Sequence, residues 1–292
     1  MNRNYILIAH FTNDFTNEKT APLSHATERG IVVYTVTATA YSFFFSLSSD
    51  SLQNRFPGAQ DQRLEIGPGG GVLTAALLTR EANVRAVELD GSLLPNLERR
   101  FAGELASGRL QIIRGDASKV PLPEFDLVVA NLPYSISSKI TFRLLETGFE
   151  SAVLMYQLEF GKRMIAPPGN GEYGRLSVMA QTYADVEMVL ELPPEAFSPP
   201  PEVWSIVVKI TPHEPPVPIR DRSVHATLVR ELFSHRRKTI RNGLRGMQSI
   251  YGNAAIPNLI ETLPAKILDK RPEMLSITDF IDLSNRLSSL IA

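Results

Sequence analysis

Leu64-Glu65-Ile66-Gly67-Pro68-Gly69-Gly70-Gly71 decides the fold. The segment Arg63 to Ile66 leads into a glycine-rich loop, and Val72 to Leu78 then reads as helix. Glycine in a strand-to-helix turn lets the backbone take positive φ and approach a ligand closely. A tight turn with no ligand is the plain alternative. The dinucleotide fingerprint G-x-G-x-x-G, started at Gly67, needs glycine where Val72 stands; started at Gly69, it needs glycine at Thr74. Both fail, and no G-x-x-x-x-G-K-[ST] occurs, so neither common phosphate loop is present.

Outward from the loop the pattern alternates. Val84 to Leu89 reads as strand, Ser92 to Phe101 as helix and Leu110 to Arg114 as strand. Phe125 to Ala130 is a buried strand of five apolar residues and Asp126. This is the βαβ signature of a mostly parallel sheet. Ala152 to Tyr156, Val186 to Leu190 and Ile206 to Ile210 supply further strands. Thr211 to Arg220 holds Pro212, Pro215, Pro216 and Pro218, a stiff linker. Val224 to Leu244, Ala254 to Leu263 and Ile277 to Leu290 read as helices. The reading is therefore a divergent N-terminal segment (1–62), an α/β domain (63–211), a Pro-rich linker (212–220) and a helical domain (221–292).

Bulk composition narrows the function classes. The chain has 292 residues, 43% hydrophobic, a size that suits two domains with a sizeable core. Its net charge of −1 requires any contact with nucleic acid to come from a local patch. Without cysteine there is no disulfide framework, no Cys zinc site and no Cys nucleophile, and no metal is expected. Ile31 to Ser49 carries no charge, yet seven of its residues are Ser or Thr and Tyr interrupts twice. It also lies too deep for a signal peptide. No membrane segment is expected, and the chain reads as cytoplasmic.

The glycine loop resembles motif I of class I methyltransferases, whose ligand, S-adenosyl-L-methionine, has no pyrophosphate to cradle. On that reading Gly67 and Gly69 admit the cofactor. Glu88, twenty-three residues after Glu65, ends the second strand, where a carboxylate can accept hydrogen bonds from both ribose hydroxyls. In Gly115-Asp116-Ala117, Asp116 can accept from the adenine amino group while the Ala117 amide meets the ring. Asn131-Leu132-Pro133-Tyr134 follows the buried strand and so sits at the sheet's carboxyl edge, where open α/β sheets bind ligands. It matches the N-[LIP]-P-[YF] pattern of amino-methyltransferases.

The chemistry explains those residue types. The adenine N6 amine is a poor nucleophile because its lone pair is delocalised into the ring. Accepting its two N–H groups, at the Asn131 side-chain oxygen and the Leu132 carbonyl, shifts that lone pair toward the methyl donor. Pro133 fixes the turn so that the carbonyl points outward. Tyr134 supplies a stacking face, worth about 1–3 kcal/mol per base. Orientation can contribute about 7–11 kcal/mol in favourable cases, so no strong general base is needed. Phe197, in Phe197-Ser198-Pro199-Pro200-Pro201-Glu202-Val203, is a candidate clamp for the other face of an extruded base. A core-packing Phe is the alternative.

Taken together, LEIGPGGG, VELD, GDAS, NLPYSIS, YGRLSVMAQ, FSPPPEV and HRRKTIRNGL make residues 64–245 resemble the rRNA adenine N6,N6-dimethyltransferase family, the KsgA type. The resemblance implies a Rossmann-like class I S-adenosylmethionine-dependent methyltransferase sheet followed by a small C-terminal α-helical domain. It implies dimethylation of two adjacent adenosines near the 3′ end of small-subunit rRNA, in a pre-ribosomal particle, with a role in ribosome biogenesis. Between Arg220 and Gly246, eight Lys or Arg face two acids. Arg236, Arg237, Lys238 and Arg241 in that stretch are candidates for phosphate contacts. Tyr156 to Phe160 and Arg163 also resemble the family and are read as structural. Nothing demands more than a monomer.

The N-terminus departs from the family. Its members carry a Q-x-F-L segment before motif I that caps the methionine end of the cofactor, and residues 1–63 contain none. Two other readings therefore stand beside the enzyme acting on the small subunit. One is a large-subunit rRNA adenine methyltransferase; the other is a non-catalytic assembly factor that binds pre-ribosomes.

Overall fold

In the computed structural model the glycine loop joins β3 (Gln62–Ile66) to a helix at Val72–Leu78. The structure describes residues 5–7, 32–36, 61–79, 82–133, 136–198 and 200–291, with residues 5–7, 32–36 and 198 as backbone only. After the loop come β4 (Asn83–Glu88), β5 (Leu110–Arg114), β6 (Leu127–Asn131), β7 (Ser151–Gln157), β8 (Ala184–Leu192), β9 (Phe197–Ser198) and β10 (Ser205–Pro212). Seven of these strands form one sheet in the order β5-β4-β3-β6-β7-β10-β8. From β5 to β7 every pairing is parallel, and β10 runs antiparallel to β7. The sheet explains the uninterrupted apolar runs, because parallel strands are covered on both faces. Leu64, Val84, Ala86, Val128, Ala130 and Leu154 are all fully buried.

The chain runs outward from β3 to β4 and β5, then returns to the other side of β3 to lay down β6 and β7. The order therefore reverses between β3 and β6. A crevice opens outside the carboxyl ends of strands at such a switch point. Leu64 pairs with Val128 and Glu65 with Val129, so the loop leaving β3 and the segment leaving β6 emerge side by side.

Several elements differ from the sequence reading. The helix expected over Ser92 to Phe101 spans Leu94–Arg100, and after Phe101 leaves helical geometry at φ −114°, ψ 30°, a second helix that the sequence reading did not contain follows at Ala102–Ala106. The continuous helix expected over Val224 to Leu244 is two helices, Arg222–Ser234 and Ile240–Arg245. Thr239 is extended and its side chain accepts from the Asn242 amide, which starts the second helix afresh. His235 to Lys238 is consequently a turn rather than helix. Helices at Ser137–Thr147, Leu158–Ile165 and Arg175–Tyr183 were not expected. In the N-terminal segment β1 (Tyr5–Leu7) pairs parallel to β2 (Val32–Val36), and β2 pairs antiparallel to β9. The rest of the uncharged Ile31-to-Ser49 stretch lies outside the described residues. No helix among the described residues is long and apolar enough to cross a membrane.

Two compact units emerge. One comprises Met1–Gly161 with Glu187–Thr211, and the other Lys162–Val186 with Pro212–Ala292. Lys162–Val186, read from sequence as part of the 63–211 domain, thus groups with the C-terminal helices. Its ties explain why. The Tyr173 hydroxyl donates to the Leu275 carbonyl at 3.0 Å, Gly169 donates its amide to Glu273, and the Phe233 ring lies between those of Tyr173 and Phe280. Leu228, Leu232, Ile240, Leu244, Ile256, Leu259 and Phe280 are fully buried in this second unit.

Candidate active site

Gly67 and Gly71 take φ of 74° and 78°, in the left-handed region that disfavours other residues. Gly71 also permits a close approach, whereas a Cβ on Gly67 would make only an ordinary contact. A Cβ on Gly71 would lie 2.5 Å from the Phe101 ring, and one on Gly67 would lie 3.8 Å from Cδ of Pro133. The second distance brings the glycine loop against the Asn131-to-Tyr134 segment, about sixty-five residues later in the chain. The amide of Gly67 donates to Val87 and that of Gly71 to Pro68, which holds the loop in shape.

Glu88 turns its carboxylate back onto this loop. Its Oε2 accepts from the Gly69 amide at 3.0 Å and its Oε1 from the Asp90 amide at 2.8 Å. Each oxygen retains a further acceptor direction. Burial raises the Glu88 pKa, and the two backbone hydrogen bonds oppose that rise. Beside it Leu89 is 64% exposed, an apolar side chain open at the ligand-binding edge.

Asp116 is partly committed to its own turn. Its Oδ1 accepts from the Ser118 amide and hydroxyl, and Lys119 Nζ stands 3.2 Å from Oδ2. The Ser118 bonds hold its carboxyl below the usual range. Ala117 is buried, and its carbonyl is occupied by Arg143.

Asn131 ends β6 with its side-chain Nδ2 buried and without a hydrogen-bond partner among the described residues. A buried donor left unmade costs about 1–3 kcal/mol, which a ligand can recover. Leu132 is buried, and the Pro133 carbonyl accepts from the Ile136 amide at 3.1 Å, opening the helix Ser137–Thr147. Tyr134 lies outside the described residues. Tyr156 donates its hydroxyl to Thr141 at 2.7 Å, since Thr141 itself donates to Ser137; this ties that helix to β7.

Of the two readings of Phe197, clamp or core-packing residue, the packing is that of the second. It is 4% exposed and belongs to the core that includes Leu73, Val153 and Val207. The segment folds inward here because an aromatic side chain gains most from full burial, and in this conformation the ring has no open face for a base.

Two residues escaped the sequence reading. Glu65 is 1% exposed; Thr74 donates to its Oε2 at 2.7 Å, while Oε1 is buried with no partner among the described residues. Burial pushes its pKa up to about 8, against the Thr74 bond, and the nearby Glu88 charge adds to the rise. An acid flanked by Leu64 and Ile66 just before the glycine loop was the available signal. Arg143 donates from Nη1 to Ala117 and from Nη2 to Val120, and nothing in its sequence context marks it.

These parts suit an S-adenosylmethionine site. The glycine backbone is open to close approach, Glu88 presents acceptors beside it, and the buried Asn131 amide has no partner among the described residues. A model of the ribosomal RNA adenine dimethylase family matches residues 50–287. The chain belongs to that family. It is 55% identical over 226 residues to a probable ribosomal RNA small subunit methyltransferase A of Methanospirillum hungatei, covering 77% of this chain and 88% of the relative. A crystal structure of a dimethyladenosine transferase from Plasmodium falciparum superposes with a TM-score of 0.65 at 27% identity, covering 85% of this chain and 94% of that one. The 23S rRNA methyltransferase ErmE shares the fold, with a TM-score of 0.59 at 23% identity over 87% and 99% of the two chains. The expected fold, a Rossmann-like methyltransferase sheet, and the expected enzyme class, an rRNA adenine methyltransferase, agree with this membership.

The basic segment belongs to the second unit. Arg237 and Lys238 are exposed in the turn between the two helices. Arg236 donates to the Gly171 carbonyl at 2.7 Å and faces Glu273 at 3.8 Å, and Arg241 faces Asp269 at 3.5 Å. Two of the four candidate phosphate ligands therefore also brace the fold. The family match starts at residue 50, and of residues 1–60 only β1 and β2 are described. The stretch lacking Q-x-F-L thus lies mostly outside the described residues.

Proposed function

We propose that this chain dimethylates N6 of two adjacent adenosines near the 3′ end of small-subunit rRNA, using S-adenosyl-L-methionine, on a pre-ribosomal particle. The observation that carries this reading is the buried amide of Asn131, without a partner among the described residues, two residues before the Pro133 that adjoins the glycine loop. The Methanospirillum hungatei relative, named for the small subunit, favours that target over the large subunit.

S-adenosylmethionine supplies a methyl group on a sulfonium, already electrophilic enough to need no strong base. Gly67 and Gly69 admit it against bare backbone. Glu88 accepts from its ribose hydroxyls through the lone pairs left by the Gly69 and Asp90 amides. Asp116 accepts from its adenine amino group at Oδ2, and the Ala117 amide meets the ring. The Nδ2 of Asn131 is the donor left for the cofactor side. On the opposite side the Asn131 Oδ1 and the Leu132 carbonyl accept the two N–H groups of the target amine. Pro133 holds that carbonyl in place and Tyr134 stacks on the base. Phe197 backs the site from within the core; to clamp the base its ring would have to leave that packing.

The division of labour follows the chain. Residues 63–211 carry the chemistry, 212–220 form the linker, and 221–292 bind RNA with Arg236, Arg237, Lys238 and Arg241 on phosphates. The enzyme acts as a cytoplasmic monomer. The test is methyl transfer from radiolabelled S-adenosylmethionine to small subunits isolated without the dimethyl mark, with calorimetry of cofactor binding beside it. Labelled N6,N6-dimethyladenosine is expected in the small-subunit rRNA. RNA binding with no cofactor binding would instead identify a non-catalytic assembly factor.

A further inference from the structure

Asn131 pairs with Met155 on β7, and Val207 of β10 pairs with the same Met155 from the other side. From Met155, β7 runs on to Gln157 at the carboxyl edge of the sheet, where Ser205 of the antiparallel β10 stands opposite it. Trp204 immediately precedes Ser205, so it stands at the edge that carries Asn131, two strands away. With strands about 4.8 Å apart and about 3.3 Å per residue, the two Cα atoms are separated by about 14 Å.

The backbone there is firmly held. The Trp204 carbonyl accepts from the Leu158 amide at 2.9 Å, and Ser205, Ile206, Val207 and Val208 behind it are fully buried. The indole is nevertheless 46% exposed, and it is the chain's one tryptophan. Earlier in the same segment Phe197 is taken into the core. The segment FSPPPEVW therefore presents its indole, rather than its phenyl ring, at the working edge.

We infer that Trp204 is a stacking platform for an RNA base flanking the target adenosine. The inference rests on the RNA-methyltransferase reading above. A base taken out of its stack for chemistry leaves its neighbours without a stacking partner. Single-stranded RNA regains such contacts on exposed aromatic side chains, and stacking of this kind is tolerant of base identity. One strand of RNA whose adenosine sits at Asn131 passes within reach of Trp204. The platform then aligns the substrate and adds nothing to the chemical step.

The chain's single tryptophan makes the test direct. Small-subunit rRNA freed of ribosomal proteins contains no tryptophan, so all indole emission in a mixture comes from Trp204. The full chain is titrated with this RNA, and binding is followed independently by the anisotropy of a fluorophore on the RNA. The free protein is expected to emit as a solvent-exposed indole and to be quenched in step with binding. Trp204→Ala is expected to weaken RNA binding about ten-fold, with affinity for S-adenosylmethionine retained, and Trp204→Phe to restore most of the loss. Binding that leaves the emission unchanged, or a Trp204→Ala protein with wild-type RNA affinity, overturns the inference while the functional reading stands. Absence of binding to this RNA by the wild type overturns the inference, whereas the functional reading, whose substrate is the pre-ribosomal particle, stands or falls by methyl transfer to isolated small subunits.

Discussion

Arg143 and Ala117 are joined across the ligand edge of the sheet: the Nη1 of Arg143, on the helix that follows the Asn131 segment, donates to the Ala117 carbonyl at 2.7 Å. Its Nη2 takes the Val120 carbonyl. One side chain thus couples the turn after β5 to the segment after β6. Arg143→Met removes both bonds to a half-buried site, and charged hydrogen bonds are worth about 1.5–3 kcal/mol each. Because solvent screens part of this, cofactor affinity is expected to fall about ten-fold, with the rate at saturating cofactor largely kept. Calorimetry and single-turnover methylation separate the two effects.

Asn131→Ala removes one of the two acceptors proposed for the target amine. Methyl transfer is expected to drop by at least about a hundred-fold, the scale at which losing one positioned polar group slows a reaction. Cofactor binding should change far less. A variant that still dimethylates at the wild-type rate disproves the role.

Glu65 makes stability depend on pH. Its folded-state pKa of about 8 lies above the ordinary value of 4.5. Between those values the unfolded chain has lost the proton and the folded one keeps it. Stability therefore falls as pH rises through that window and levels off above it. Glu65→Gln keeps an acceptor for Thr74 and carries no charge. It should be the more stable protein at pH 8, with the advantage gone near pH 4.5. Urea melts at the two pH values measure the difference.

His225 acts in the opposite direction. It is fully buried beside Ser284, whose hydroxyl already donates to Ile281, so the 3.0 Å bond to Nδ1 makes that nitrogen the protonated one. Nε2 is then a bare acceptor with no partner among the described residues. Burial lowers the pKa from 6.5 to about 4. Stability is present above the unfolded value and is lost as pH falls from about 6.5 toward about 4. From pH 7 to pH 5 this group alone should remove about 2 kcal/mol. His225→Leu should flatten that part of the acid-unfolding curve, and an unchanged slope would reject the assignment.

The basic turn predicts a salt effect. Neutralising Arg236, Arg237 and Lys238 to Gln should weaken rRNA binding and reduce the log–log salt slope by about 0.7 for each phosphate no longer neutralised. Arg236→Gln alone should also lower the melting temperature, because that side chain holds the Gly171 carbonyl. Filter binding across a salt series reads the first effect and differential scanning calorimetry the second.

The order of LEIGPGGG, VELD, GDAS and NLPY, and the alternation of strands and helices around them, could be read directly because they are local properties. The glycine that needs positive φ, the period of apolar residues and the proline turn are each written within a few positions. Those signals located β3 to β7, the helix Val72–Leu78 and the residues around the ligand edge. The helix break at His235 to Lys238 could not be read the same way. It depends on Thr239 capping the next helix and on the Ile240 amide reaching the Lys270 carbonyl, thirty residues on.

By itself, then, the sequence determined which chemistry this chain carries and on what kind of sheet, since both rest on neighbouring residue types. Tertiary structure alone decided which side chains are available for it. It brought Gly67 against Pro133 and Arg143 onto Ala117. It buried Phe197 and left Trp204 in solvent, and its burial of Glu65 raised that carboxyl's pKa. Each of those outcomes depends on how much water remains around a group once distant segments close over it, a quantity no short stretch of sequence contains.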